Sequence, residues 1–234
     1  MPASNSSPKP SNDPYMLTTG DRERFGEEEA LGMVKPSDPI LTHAAQPIAP
    51  NKIKTARIQT VITRLFAAAD GQRRGHPADK KRRTLVGIAA PQVGAWLRIV
   101  LMDTQIQPDR KQPGKLECLI NPEIVWRSRE TEEGREGCFS AGPVWGLVRR
   151  PLAVKLRAFT PEGKRVEHIF EGFTARIAQH EIDHLDGIRF ADRITSDRKR
   201  HWVHTEELAD YPKAIKHWAR LCTRERWEAF KLGK

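Results

Sequence analysis

The stretch His180-Glu181-Ile182-Asp183-His184 constrains this chain more than any other. Two imidazoles four residues apart lie on one face of an α-helix, one turn from each other. That spacing lets both rings ligate one metal ion. Glu181 points in a neighbouring direction, where it can act as a base toward an activated water. The pattern occurs by chance in many sequences, so the rest of the chain has to decide its meaning.

The helix that carries it is expected to start near Gly172 and to close at Asp186-Gly187, with Phe173, Ile177, His180, Glu181 and His184 facing inward. Upstream, Ile58, Val61, Ile62, Leu65 and Phe66 follow i, i+3, i+4, i+7, i+8 and predict an amphipathic helix over 52–69. Strands are expected at 98–103, 116–121 and 123–127. Leu152, Val154, Leu156 and Ala158 alternate, Pro161-Glu162-Gly163 is a turn, and 166–170 reads as the returning strand. A last helix is expected over 212–230, with Ile215, Trp218, Leu221 and Cys222 on one side.

Residues 1–35 are rich in Pro, Ser, Asn and charge and read as a disordered tail. The chain thus divides into this tail, a catalytic domain over 36–195 with a basic loop at 71–84, and a basic helical extension over 196–234. The expected fold class is α+β: antiparallel strands packed around a central metal-binding helix, with N-terminal and C-terminal helices.

At 234 residues the chain is long enough for one sizeable core. Its apolar runs are far shorter than the roughly 20 residues a membrane helix needs. The N-terminus lacks a secretory pattern, and Asp21, Glu23, Glu27, Glu28 and Glu29 argue against a transit peptide. Three scattered cysteines, Cys118, Cys138 and Cys222, make no disulfide framework, so a reducing compartment, the cytoplasm, is expected. The net charge is +10. The 71–84 run sets Arg73, Arg74, Lys80, Lys81, Arg82 and Arg83 against Asp79, and the end of the chain is also basic. Such faces suit RNA or other polyanions, or are simply solvated.

A catalytic metal site usually takes three protein ligands plus water. The extended pattern that ends in a third histidine fails here, because Phe190 stands at that position. Glu206 and Glu207 are possible downstream ligands. Cys138, in Glu136-Gly137-Cys138-Phe139-Ser140, is an upstream one, since a thiolate binds Zn²⁺ or Fe²⁺ well.

A third stretch, Leu85-Val86-Gly87-Ile88-Ala89-Ala90-Pro91-Gln92-Val93-Gly94, decides among these. With Glu136–Ser140 and Gln179-His180-Glu181-Ile182-Asp183-His184-Leu185-Asp186-Gly187, it resembles the peptide deformylase family. That family is marked by G-x-G-[LI]-A-A-P-Q-x-G, E-G-C-[LM]-S and Q-H-E-x-D-H-L-x-G, in this order. The resemblance covers residues 36–195.

It implies an α+β hydrolase that removes the formyl group from N-terminal formylmethionine of new polypeptides and releases formate. It implies Cys138, His180 and His184 as ligands of one divalent metal. Fe²⁺ is the expected ion, and Zn²⁺, Ni²⁺ or Co²⁺ also suit thiolate and imidazole. Glu181 becomes the proton carrier. The Gln92 amide and the Phe139 backbone N–H become donors to the developing oxyanion. Gly87 lets the backbone approach an extended peptide, and Val86, Ile177 and the aliphatic part of Glu136 wall the methionine pocket. Glu136 is expected to pair with Arg150 and steady the Cys138 loop. Since such enzymes meet chains leaving the ribosome, the 71–84 loop and the C-terminal helix are candidate contacts to ribosomal RNA.

The sequence also departs from the family pattern. Leu85 replaces a glycine, Phe139 a leucine, and Ala141-Gly142-Pro143 the usual Val-Pro-Gly. Trp145 stands where some members carry an arginine that contacts the substrate backbone. Leu85, Phe139 and Trp145 are expected to reshape the peptide cleft. Two other functions remain in view: a zinc peptidase using Glu206 or Glu207, and a non-catalytic ribosome-associated protein on the same scaffold.

Overall fold

The computed structural model describes residues 13–74, 85–106 and 114–234. Most of the expected basic loop, residues 75–84, lies outside these. Among the described residues the chain runs α1 (Thr19–Ala30), α2 (Ala56–Arg74), β1 (Gly87–Ala89), β2 (Ile99–Asp103), β3 (Leu116–Arg127), β4 (Thr131–Gly137), β5 (Val144–Pro151), β6 (Ala153–Phe159), β7 (Arg165–Glu171) and α3 (Gly172–Leu185). It ends with β8 (Arg200–Trp202), the short α4 (Tyr211–Ala214) and α5 (Arg224–Lys231). Helices and antiparallel sheets give an α+β fold.

One sheet has the order β1-β2-β3-β6-β7 and the other β4-β5-β8, both antiparallel. The period-2 alternation of β2 decides how the first sheet is covered. Ile99 and Leu101 pack into a cluster with Ile58, Ile62 and Leu65 of α2. Val100 and Met102 face the opposite way, into a cluster with Ala178, Ile182 and Leu185 of α3. All five β2 residues are therefore buried. The other side of α3 meets the smaller sheet: Arg176 Nη1 donates to Val148 O at 2.9 Å and Gln179 Nε2 to Pro151 O at 3.0 Å. Phe173, expected inward, is 37% exposed.

β3 joins two expected strands into one, with a register irregularity after Ile120 and Asn121 at φ 49°. The Asn121 amide is satisfied there by exchanging hydrogen bonds with Ile48 backbone. The β4–β5 hairpin was not foreseen. Its first strand, Thr-Glu-Glu-Gly-Arg-Glu-Gly, has no apolar alternation, because buried ion pairs rather than a hydrophobic face hold it down.

Two corrections concern the ends of the chain. Residues 19–30, read as part of a disordered tail, form a helix. Thr18 and Asp21 cap it reciprocally at 3.1 Å in each direction. Asp21 is 1% exposed and also accepts from His204 Nδ1 at 2.7 Å and from the Thr205 N–H and hydroxyl, both at 2.9 Å. The helix thus docks through a buried carboxylate, which composition does not reveal. The expected helix over 212–230 is broken. Trp202 N donates to Arg220 O at 2.9 Å, so the chain is extended there, and Thr223 caps α5 as a new helix. The extension also adds β8 to the smaller sheet.

Burial alone would raise the Asp21 pKa, but hydrogen bonds from His204, Thr18 and Thr205 outweigh it and hold the carboxyl below its ordinary value. Such a group stabilises the fold above its unfolded pKa and stops doing so as pH falls through the folded one. We therefore expect α1 to stay docked down through about pH 4 and to come free below it. Asp21→Asn should weaken docking at neutral pH. Limited proteolysis of the 13–35 segment, mapped by mass spectrometry, measures both.

Candidate metal centre

The α3 helix sets His180 and His184 one turn apart, with ring centroids at 5.0 Å. Cys138 arrives from the end of β4, as the N-cap of a 3₁₀ turn over Phe139–Ala141. Its Sγ lies 3.4 Å from His184 Nε2. One ligand atom from each of Cys138, His180 and His184 falls within 4.8 Å of the others. Phe190, at the position of the missing third histidine, stacks along the His180 ring at 6.0 Å. Glu206 and Glu207 are engaged elsewhere: Glu206 accepts from Thr18 and Gly20, and Glu207 pairs with Arg220.

Glu136 orients the group. Its Oε1 accepts from Arg150 Nε at 2.6 Å and Arg176 Nη1 at 2.8 Å. Its Oε2 accepts from Arg150 Nη2 at 2.8 Å and lies 2.9 Å from His180 Nδ1. A proton on Nδ1 satisfies that last contact and leaves Nε2 bare for a cation. Arg150 also donates to Asp183 Oδ2 at 2.8 Å, and Arg193 to Asp183 Oδ1 at 2.6 Å. Burial opposes the charge on Glu136, yet the hydrogen bonds from Arg150 and His180 hold its carboxyl far below the usual range. Arg150 is likewise pushed up, against burial, by Glu136 and Asp183.

Glu181 has the opposite environment. It is 4% exposed, its Oε2 has no hydrogen-bond partner, and burial pushes its pKa up to about 7. Gly87 leaves it room: a Cβ there would come within 2.4 Å of Glu181 Oε1. Gln92 is fixed at both ends. Its Oε1 accepts from Ala89 N at 2.8 Å, and its Nε2 donates to Ser140 Oγ at 3.0 Å and faces Cys138 Sγ at 3.4 Å. The Phe139 N–H opens the 3₁₀ turn, where the first donors have no partner within the turn.

Val86 and Ile177 belong to the cluster between the larger sheet and α3. The residues expected to reshape the cleft each pack against other parts of the fold. Trp145 is buried in a cluster with Val203 and Tyr211. The Phe139 ring packs edge-on against Phe25 of α1 at 5.9 Å. Leu85 packs against the α2 side of the core. Arg176 and Ser140 were not picked out from the sequence. Arg176 stands four residues before His180, on the same helix face, and that spacing was its available signal.

Cys138, His180 and His184 together form a group of donors that could hold one metal ion. The sequence model of the polypeptide deformylase family matches residues 30–200. A peptide deformylase of Desulforudis audaxviator is 47% identical over 115 residues, 49% of this chain and 70% of that protein. One of Rhodopirellula baltica is 32% identical over 211 residues, 87% of this chain and 96% of that protein. The Met-Ala-Ser-bound crystal structure of class I type b peptide deformylase from Acinetobacter baumannii matches with a TM-score of 0.59 at 34% identity, over 69% of this chain and 96% of that one. The chain belongs to the polypeptide deformylase family, and its function is peptide deformylation.

The buried ion cluster yields a stability prediction. Arg150→Ala removes the guanidinium shared by Glu136 and Asp183, while Arg176 and Arg193 still serve those carboxylates. The loss should be about 3 kcal/mol, the lower end for a broken buried pair. Equilibrium urea denaturation measures it.

Proposed function

We propose that the chain hydrolyses the formyl amide of N-formylmethionyl peptides with one divalent metal held by Cys138, His180 and His184. The observation that carries this is the convergence of those three donors beside the buried, unpartnered Glu181 carboxyl. The donor set fits a metal: a thiolate, two imidazoles and an outer carboxylate on His180. It suits Fe²⁺, our expectation for the cell, and also Zn²⁺, Ni²⁺ or Co²⁺. When bound, the ion supplies Lewis acidity and an activated water.

The chain's own groups do the rest. Glu181 takes a proton from the attacking water and returns it to the leaving amine, a task suited to a carboxyl poised near neutrality. The Gln92 amide and the Phe139 N–H donate to the oxygen as the formyl carbon becomes tetrahedral. β1 is an edge strand of the larger sheet, which supports an extended peptide adding alongside Gly87. We assign the methionine side chain to the pocket bounded by Val86, Ile177 and the stem of Glu136. In this reading α3 is the metal-binding helix of a catalytic domain over 36–195, and the terminal segments brace it.

No helix among the described residues is long and apolar enough to cross a membrane. We propose the cytoplasm as the site of action and the ribosome as a partner, through the 71–84 loop and the basic C-terminal segment. Because Trp202 and Trp227 are buried core residues, charge reversal of exposed Lys and Arg is the suitable test rather than truncation. Salt-sensitive co-sedimentation with ribosomes should weaken on reversal.

Formate release from formyl-Met-Ala-Ser by metal-loaded protein tests the activity. Glu181→Gln should lower kcat by about 10²–10⁴ while metal stoichiometry holds. Gln92→Ala should lower it by about 10²–10³. Cys138→Ala should abolish metal binding and activity together. A Cys138→Ala protein that keeps both would overturn the assignment.

A further inference from the structure

The Cys138 turn is gripped by both ends of the chain. Phe25 of α1 covers the Phe139 ring at 5.9 Å. On the other flank, Gly142 has φ 59°, and a Cβ there would lie 2.3 Å from Phe230 Cζ of α5. The Phe230 ring therefore rests directly on the turn's backbone. It is backed by Trp202, edge-on at 5.6 Å. Arg189 holds the middle of the turn: its Nη1 donates to Ser140 O at 2.8 Å, and its guanidinium lies 5.0 Å from the centre of the buried Trp227 ring in α5. Cys138 itself packs against the cluster containing Trp202 and Trp227. Phe25, Trp202, Trp227 and Phe230 all lie outside the 30–200 stretch that matches the family.

We infer that Phe25 and Phe230 are positioning residues, which clamp the Cys138–Gly142 turn so that thiol, Phe139 N–H and Ser140-anchored Gln92 amide keep one alignment. The inference rests on the proposed roles of Cys138, Gln92 and Phe139. The turn needs such support. Within it, the backbone bonds are Ala141 N to Cys138 O and Gly142 N to Phe139 O. A ligand and one oxyanion donor sit on this 3₁₀ turn and its cap, and the second donor, the Gln92 amide, is tied to it through Ser140, so a shift of a fraction of an ångström alters all three. Both rings also line a cavity of about 710 Å³ between the terminal segments, so each can be trimmed without opening either sheet.

The test uses the full chain with Phe25→Ala and Phe230→Ala, beside Phe25→Leu and Phe230→Leu. In metal-free protein the Cys138 thiol should react with a disulfide reagent about tenfold faster in the alanine variants. A Cys138→Ser control gives the background from the buried Cys118 and Cys222. In loaded protein a chelator should remove metal about tenfold faster, and kcat should fall about tenfold with KM within about twofold. The leucine variants should recover most of each loss. Thiol reactivity, metal release and kcat all within about twofold of the parent, in protein with parent-like circular dichroism, would overturn the clamp even if melting temperature fell. If Phe230→Ala does not fold, the Phe25 pair decides, since α1 docks on the outside. A parent protein that binds no metal and releases no formate would instead overturn the proposed function. The thiol measurement would still judge the clamp.

Discussion

The Glu136 carboxylate is the contact on which the remaining geometry depends. It faces donors from three directions, with two bonds from Arg150, one from Arg176 and one from the His180 ring. Those partners sit on β5 and α3, while Glu136 is on β4, one residue from the end of the strand that delivers Cys138. A single buried charge thereby joins the hairpin to the helix and fixes the height of the thiol above the imidazoles. Such a charge is tolerable only because every lone-pair direction is filled. The same satisfaction explains how β4, exposed along its first residues, can bury the Glu136 side chain without an apolar face. The charge-assisted hydrogen bonds of this contact are directional, so they lock register where hydrophobic packing would permit slip.

Glu136 and Glu181 divide the work through their surroundings. Both are almost wholly buried. Glu136 is surrounded by donors and stays ionised, whereas Glu181 lacks a partner at Oε2 and is pushed toward neutrality. Two like carboxyls driven apart in this way suit different tasks, which is why we propose a structural role for Glu136 and proton transfer for Glu181. Gly87 belongs to the same arrangement, because a side chain there would collide with Glu181 and force it off the site.

The sequence made part of this legible. The spacing of His180 and His184 required a helix, and α3 runs from Gly172 to Leu185, as the flanking Gly172 and Asp186-Gly187 imply. The apolar period of 58–66 likewise located α2 within a few residues. Elements held by polar contacts were not legible. The β4 strand depends on Arg150 and Arg176, and α1 depends on Asp21 meeting His204 some 183 positions away. Local pattern carries no trace of such partners. The broken C-terminal helix shows the converse. Ile215, Trp218, Leu221 and Cys222 do repeat at helical intervals, but Leu221 bridges to His201 beside β8, and tertiary pairing overrides the period.

Departures from the family pattern in the Cys138 region make physical sense only together with the terminal segments. The Phe139 ring belongs to the core beside α2, and Phe25 packs edge-on against it from α1. Gly142 and Phe230 fit in the same sense, since any side chain at 142 would expel the ring. Trp145 fills the space under Gly137 and meets Tyr211 at 6.0 Å. Phe139 and Trp145 therefore have packing partners of their own in the terminal segments. They are one half of an interface whose other half comes from residues 19–30 and 200–230. The motif and the termini consequently have to be read as one unit. A change on either side removes a partner from the other, and the turn that bears Cys138 lies between them.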